Sequence, residues 1–222
     1  MKKMVLPTGD DAVGDKRDFL FRFVPVQLRG RLRLDDVAMY SVTDEKSADK
    51  ITASLRRVLP LGVGSHVVDG TACVGGNTCS FARQFGRVTA IEIDPTRYGY
   101  LRHNLGVLGL DHVDTRCEDV LAWARARTAE GQPPADLIYL DPEWGGPGYV
   151  DRDRVELSLS GLPLADACLR LAPAARHIAL KVPHNFDEDG FLRGTAGRLV
   201  VRDRLLLRKM RVLLFRVAGS PG

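Results

Sequence analysis

Apolar residues in the central part of the chain come in short continuous runs that stop at an acid or at a Gly/Pro turn. His66-Val67-Val68-Asp69, Arg87-Val88-Thr89-Ala90-Ile91, Val113 to Arg116, Ala135 to Leu140 and His177 to Val182 each have strand length. Continuous rather than alternating apolarity marks strands buried on both faces. Between them the period changes to that of a helix. Ile51, Leu55 and Val58 form one stripe, and Tyr98, Leu101, Leu105 and Leu108 form another. Helices are also expected from the Gly75-Gly76-Asn77 turn to about Phe85, in the Ala/Arg-rich stretch before the turn Gly131 to Pro134, and over Leu162 to Leu171. A variable piece from Phe186 to Gly194 and two terminal strands, Leu199 to Leu206 and Met210 to Val217, complete the pattern. Strands alternating with helices predict an α/β fold with a doubly wound, mainly parallel sheet.

Local signals place the helix starts. Thr43 is expected to cap the helix that carries Asp44 and Glu45 in its first turn, and Pro60 and Gly62 close it. Asp94 before Pro95 reads as an N-cap followed by the first helical residue. Met1 to Asp18 is charged with almost no apolar periodicity and reads as a disordered tail. From Phe19 to Leu34 the chain turns apolar and basic. If extended there, it would align Arg29, Arg31 and Arg33 on one face toward phosphates. Residues 19–62 thus read as an extension ahead of a larger domain over 63–222.

Length and composition narrow the class. At 222 residues and 45% hydrophobic the chain can bury a full core. The charge is +4 and the pI near 9.0, with 25 arginines against 7 lysines. Arginine suits bidentate phosphate contact, so a polyanionic partner fits, although a solvated basic surface explains the charge equally well. Cys73, Cys79, Cys117 and Cys168 make no CxxC pair, and neither a signal peptide nor an apolar span of about 20 residues occurs. A reduced intracellular protein, nuclear or cytoplasmic, without metal or membrane attachment and with a monomer favoured, is the expectation. Cellular and viral origin stay open.

Candidate chemistry concentrates where strands end. Leu137-Ile138-Tyr139-Leu140 runs straight into Asp141-Pro142-Glu143-Trp144-Gly145-Gly146-Pro147-Gly148-Tyr149. Proline stops the strand and leaves Asp141 at its carboxyl end, the edge where open α/β sheets bind ligands. The glycines let the backbone approach a ligand, and the indole offers a stacking surface for a planar base. Asp69 ends the first core strand ahead of a glycine-rich turn, and Glu92 lies 23 positions later. That spacing suits a carboxylate that accepts ribose hydroxyls. Asp119 can cap a helix or receive an adenine amino group.

The elements Ser41-Val42-Thr43-x-Glu45-Lys46, Val68-Asp69, Val74-Gly75-Gly76-Asn77-Thr78, Ala90-Ile91-Glu92-Ile93-Asp94-Pro95 and Asp141-Pro142-x-Trp144-Gly145-Gly146-Pro147-x-Tyr149 together resemble the trimethylguanosine synthase family of RNA cap guanine-N2 methyltransferases. The resemblance spans about residues 19 to 217. It implies a class I methyltransferase (Rossmann-like) fold, a seven-stranded sheet with a small helical N-terminal extension over the site. It implies S-adenosyl-L-methionine as cofactor and the 7-methylguanosine of a capped RNA as substrate. Carried over by position, Asp69, Gly75 and Asn77 surround the methionine part, Glu92 holds the ribose, Asp119 and Val120 the adenine, and Thr43 closes over the cofactor. Trp144 stacks on the cap guanine, and Pro183-x-Asn185 matches a motif after the fifth strand that adds Asn185 to the substrate side. Two positions depart from the family: Cys73 stands where Gly is usual, and Glu143 where Pro is usual.

An exocyclic guanine amine is a poor nucleophile, so positioning dominates its methylation. Asp141 is the expected acceptor for the amine N–H, the Pro142 carbonyl its helper and Trp144 the platform. Stacking of indole on cationic 7-methylguanine adds roughly 0.5 to 2 kcal/mol. Arg29, Arg31, Arg33, Arg204 and Arg208 are candidates for the triphosphate. Two rivals remain: a methyltransferase for other exocyclic amines of RNA or DNA, such as adenine N6, and an inactive methyltransferase-like protein that binds caps.

Overall fold

The computed structural model describes residues 16–219. Its elements in chain order are α1 (Lys16–Leu20), α2 (Val26–Arg29), α3 (Asp36–Ser41), α4 (Glu45–Val58), β1 (His66–Asp69), α5 (Gly76–Ala82), β2 (Arg87–Ile91), α6 (Pro95–Val107), β3 (Asp114–Arg116), α7 (Val120–Ala129), β4 (Ala135–Leu140), β5 (Ser158–Leu159), β6 (Leu162–Pro163), α8 (Leu164–Leu171), β7 (Ala175–Pro183), α9 (Glu188–Gly194), β8 (Leu199–Leu206) and β9 (Met210–Val217). Seven strands form one sheet in the order β3-β2-β1-β4-β7-β9-β8, while β5 and β6 make a separate hairpin. The first five strands of that order are parallel, and β9 runs antiparallel to β7 and β8. The order of strands across the sheet reverses between β1 and β4, so Asp69, level with Tyr139, ends its strand beside the loop that follows Leu140.

The run predicted as β4 shows how the sheet is held. Leu137 and Tyr139 enter the core under α4, α5 and α6, with Ile51, Leu55, Phe81 and Leu101. Ile138 and Leu140 point the other way, to Trp123, Leu164, Leu171 and Phe215. All four strand residues are fully buried, and each of the three aliphatic side chains contributes about 1.5–3 kcal/mol. A pleated strand with helices on both sides has no polar face to offer, which is why the run is continuous in sequence.

The N-terminal segment packs as a small helical layer of its own. Leu20, Phe21, Val24, Leu32, Ala38 and Val42 close around Val74, which belongs to the turn after β1. Asn104 of α6 pins this layer: its Oδ1 accepts from Arg33 N at 2.8 Å, and its Nδ2 donates to the carbonyls of Arg33 and Val74, both at 3.0 Å.

Several local expectations change. Asp44, not Thr43, caps α4 by accepting from Ser47 N at 3.1 Å, because the helix starts one residue later and the Thr43 hydroxyl is used elsewhere. The stretch through Arg29 is not extended, since Pro25 opens α2 there and the three guanidiniums do not line up. Arg29 is a clamp, donating to the Val24 and Arg22 carbonyls and pairing with Asp18 at 3.1 Å. Leu162 and Pro163 belong to the hairpin, and α8 begins after them. Of the expected tail Met1 to Asp18, residues 1–15 lie outside the described residues and Lys16, Arg17 and Asp18 open α1.

Asn104→Ala should strip partners from three backbone groups at once and destabilise the protein by roughly 1–3 kcal/mol. The loss should concentrate in residues 30–35, measured as faster amide exchange there than in β1 or β4.

Candidate active site

At the carboxyl edge of β1 the Asp69 carboxylate is buried. Its Oδ2 accepts from Thr78 Oγ1 at 2.7 Å, and its Oδ1 has no partner among the described residues. Burial pushes its pKa up to about 7, the neighbouring Asp141 and Glu92 charges add to this, and hydrogen bonds from Thr78 and the Thr71 backbone oppose it. A buried carboxylate with one unmet oxygen is a receptor for a cation. The turn that follows contains Gly75 at φ +104° and, unusually, Cys73 at φ +50°. Cys73 N donates to Glu92 Oε2 and Asp94 N to Glu92 Oε1, both at 2.8 Å. Glu92 is thereby fixed with lone pairs left over on both oxygens.

Next to this turn, the loop after β4 is held by its backbone: Asp141 N donates to Thr71 Oγ1 at 2.7 Å. Asp141 Oδ2 lies 2.6 Å from Lys181 Nζ. Burial raises the Asp141 pKa above the usual carboxylate value, and Lys181 pulls it back. Lys181 Nζ also donates to Thr43 Oγ1 at 2.9 Å and stands 5.3 Å from the centroid of the Trp144 ring. Trp144 meets Tyr149 edge-on at 5.1 Å, and Gly145 and Gly146 take φ of 83° and 77°, values that favour glycine. Asn185 Nδ2 bonds the carbonyls of Tyr149 and Arg152 at 2.8 and 2.7 Å, so it shapes the loop that carries Trp144.

The sequence candidates therefore fall into three groups. Asp69, Gly75, Asn77, Glu92, Asp141, Pro142, Trp144 and Thr43 come together at the edges of β1, β2 and β4. Thr43 Oγ1 accepts from Asn77 Nδ2 at 2.9 Å and so joins the N-terminal layer to the turn. Asp119 caps α7 through one oxygen, accepting from Leu121 N at 2.6 Å, and Val120 beside it is buried. Arg29 is spent structurally and Arg204 pairs with Glu188, whereas Arg31, Arg33 and Arg208 are exposed. Lys181 was missed because a lone lysine within an apolar strand carries no local motif. Ile93, 60% exposed directly after Glu92, and Arg97, which bridges Asp35, Glu92 and Asp94 at 3.6 to 3.7 Å, were also missed. An isoleucine set between two acids, Glu92 and Asp94, just past the end of a strand is the signal that could have found the first.

Cys73 is no nucleophile: burial, then the Glu92 charge, pushes its thiol up to about 12. Among the described residues no group of three or more His, Cys, Asp or Glu could hold a metal ion, and no helix is long and apolar enough to cross a membrane. What the edge offers is a set of acceptors for cations and hydroxyls beside an aromatic platform.

A family model described as RNA cap guanine-N2 methyltransferase matches residues 64–209. The chain is 34% identical over 157 residues to trimethylguanosine synthase of Schizosaccharomyces pombe, covering 69% of this chain and 64% of that protein. It is 31% identical over 127 residues to an uncharacterized protein of Acanthamoeba polyphaga mimivirus, covering 56% and 48%. The chain thus spans about half to two thirds of the length of these curated relatives. A proposed methyltransferase from Porphyromonas gingivalis W83 superposes with a TM-score of 0.65 at 17% identity, covering 92% of this chain and 47% of that one. The sheet order and this likeness establish the class I methyltransferase fold.

The Asp69 proton gives a pH test. The folded protein holds it more tightly than the unfolded chain, so this contribution to stability is complete below about pH 4 and lost as pH rises through about 7. Ligand-free protein should lose up to roughly 1.4 kcal/mol per pH unit from this group across that window. Asp69→Asn should abolish the slope. Urea unfolding of both proteins at about pH 5 and pH 8 isolates the difference from other titrating groups, including His66.

Proposed function

The chain belongs to the RNA cap guanine-N2 methyltransferase family, and we propose that it methylates the exocyclic N2 amine of 7-methylguanosine at the 5′ end of capped RNA. Family and fold imply S-adenosyl-L-methionine, which supplies an electrophilic methyl group when bound. The residues fit it. The unmet oxygen of Asp69 suits the ammonium of the methionine part, with Gly75, Asn77 and Thr43 around it. Glu92 accepts ribose hydroxyls with the lone pairs that Cys73 and Asp94 leave free. Ile93, exposed beside Glu92, would offer an apolar face to the adenine, and Asp119 with Val120 would hold it.

On the substrate side, Asp141 accepts a hydrogen bond from the guanine amine and so orients its lone pair; the Pro142 carbonyl assists. Trp144 stacks on the base, which cationic 7-methylguanine strengthens. Arg31 and Arg33, exposed on the extension, and the exposed Arg208 are the members of the arginine set available to the triphosphate. Residues 19–62 then act as a cover on a transferase domain over 63–222. The observation that carries this reading is the meeting of a buried carboxylate and an indole, Asp141 and Trp144, about one lysine.

Pure protein incubated with S-adenosyl-L-methionine and 7-methyl-GDP should give an N2-methylated product by mass spectrometry, and GDP should not. Methylation of uncapped RNA alone would move the assignment to another exocyclic amine. Cap binding without cofactor binding in calorimetry would instead mark an inactive cap-binding protein. Trp144→Ala should weaken 7-methyl-GDP binding about 5- to 150-fold, the equivalent of roughly 1–3 kcal/mol of lost stacking. Trp144→Phe should keep part of it, with a smaller loss for GDP than for the cationic ligand. Glu92→Ala should lower cofactor affinity by roughly 1.5–3 kcal/mol, measured calorimetrically, while 7-methyl-GDP binding stays near wild type.

A further inference from the structure

Lys181 is the one lysine buried among the described residues. It sits on β7 between Leu180 and Val182, which face the α7 and α8 core. The pleat turns Lys181 to the opposite side, that of Ala179, α4 and α5. Three segments meet at its ammonium: the loop after β4, with Asp141 at 2.6 Å and the Trp144 ring at 5.3 Å, Thr43 of the N-terminal layer at 2.9 Å and, through Thr43 Oγ1, Asn77 of the glycine turn.

We propose that Lys181 is a positioning residue for the transfer: it fixes the Asp141 carboxylate and the Trp144 ring relative to each other. Through Thr43 it makes that alignment depend on closure of the N-terminal layer over the glycine turn. This inference rests on the methyl-transfer reading above. In the reaction the amine nitrogen forms a bond to the methyl carbon, the carbon–sulfur bond breaks with its electron pair kept by sulfur, and the nitrogen sheds a proton. Asp141 can take that proton only while ionised. Asp69 on β1 and Tyr139 on β4 surround the same carboxylate, Glu92 adds its charge through Asp69, and Thr43 offers a hydroxyl. Of these neighbours Lys181 alone brings positive charge. Burial already favours the protonated acid, so removing the lysine raises the Asp141 pKa further.

Lys181→Met, Lys181→Arg and Thr43→Val test this. With Lys181→Met, kcat at neutral pH should fall at least about tenfold and recover as pH is raised, the acid limb moving up by about one unit or more. KM for the cofactor should change less than kcat. Lys181→Arg should restore the acid limb toward the wild-type position. Thr43→Val should weaken cofactor binding, and its effect on kcat should be smaller in the Lys181→Met background than alone. Carboxyl carbon NMR, with the Asp141 signal assigned by Asp141→Asn, should show the same upward titration in Lys181→Met without any substrate. Trp144 emission, read in a Trp123→Phe background, should change with it. An unchanged acid limb and Asp141 titration in a folded Lys181→Met would overturn the proposal, as would activity loss that only tracks falling Tm. If Lys181→Met does not fold, Lys181→Gln decides: an unchanged acid limb and an unchanged Asp141 titration there would overturn it. Should the wild type transfer no methyl group to any acceptor, the methyl-transfer reading fails, while titration and emission still judge Lys181.

Discussion

The ion pair between Lys181 and Asp141 is the constraint on which the rest of the edge depends. It requires β4 and β7 to be parallel neighbours in one register: Leu140 pairs with Leu180, which places the next residue of each strand side by side. Both charges are largely out of water, and such a pair costs several kcal/mol per ion in desolvation that only close geometry and further hydrogen bonds offset. The 2.6 Å contact, the Thr43 hydroxyl and the Asp141 N–H bond to Thr71 supply that geometry. Breaking one partner leaves the other uncompensated, so a buried pair of this kind holds loops in one place more than it adds net stability.

Around this pair the charge of the edge runs against the charge of the protein. The chain is basic overall, yet Asp69, Glu92 and Asp141 gather at neighbouring strand ends with Lys181 as the buried cation among them. Arg97 reaches Glu92 from the rim at 3.7 Å but leaves Asp69 unmatched. An excess of buried carboxylate is stable only if protonated or if a cation arrives. The raised pKa of Asp69 is the first solution, and a sulfonium cofactor with an ammonium group provides the second. On the proposed reading, a cationic base stacked on Trp144 would answer the same deficit as the cofactor.

How much of this was legible in the sequence follows from how local each signal is. Ala135 to Leu140, Leu199 to Leu206 and Met210 to Val217 were readable to the residue, because a run bounded by turns fixes its own ends. Asp94 capping α6 was readable for the same reason, its partner Arg97 N lying three residues on. Thr43 was identified with the correct neighbourhood but the wrong local job: a cap is decided within one turn, whereas its actual partners are Asn77 and Lys181, 34 and 138 residues away. The arginine row failed because Pro25 opened a helical turn that alternation could not reveal, and carbonyls of the preceding turn then captured Arg29. Lys181 was invisible in kind. A single lysine inside an apolar strand gains meaning only from sheet register and from a loop folded over it.

The glycine turn shows what the N-terminal layer must provide in return. A Cβ on Gly76 would come within 2.6 Å of Val42 Cγ2 and 2.7 Å of the Thr43 carbonyl oxygen, so glycine is required there for the layer to reach the turn at all. Three residues earlier Cys73 holds a left-handed backbone that costs a non-glycine residue about 1–2 kcal/mol. Its side chain meets the same layer, packed against the cluster that contains Val42 and Val74, with Sγ 3.9 Å from Ser41 Oγ. Glycine would relieve the strain but leave that contact empty. Cys73 thus exchanges backbone ease for a side-chain contact with the N-terminal layer. That contact, together with the Thr43 hydroxyl that accepts from both Asn77 and Lys181, ties the turn to the N-terminal layer.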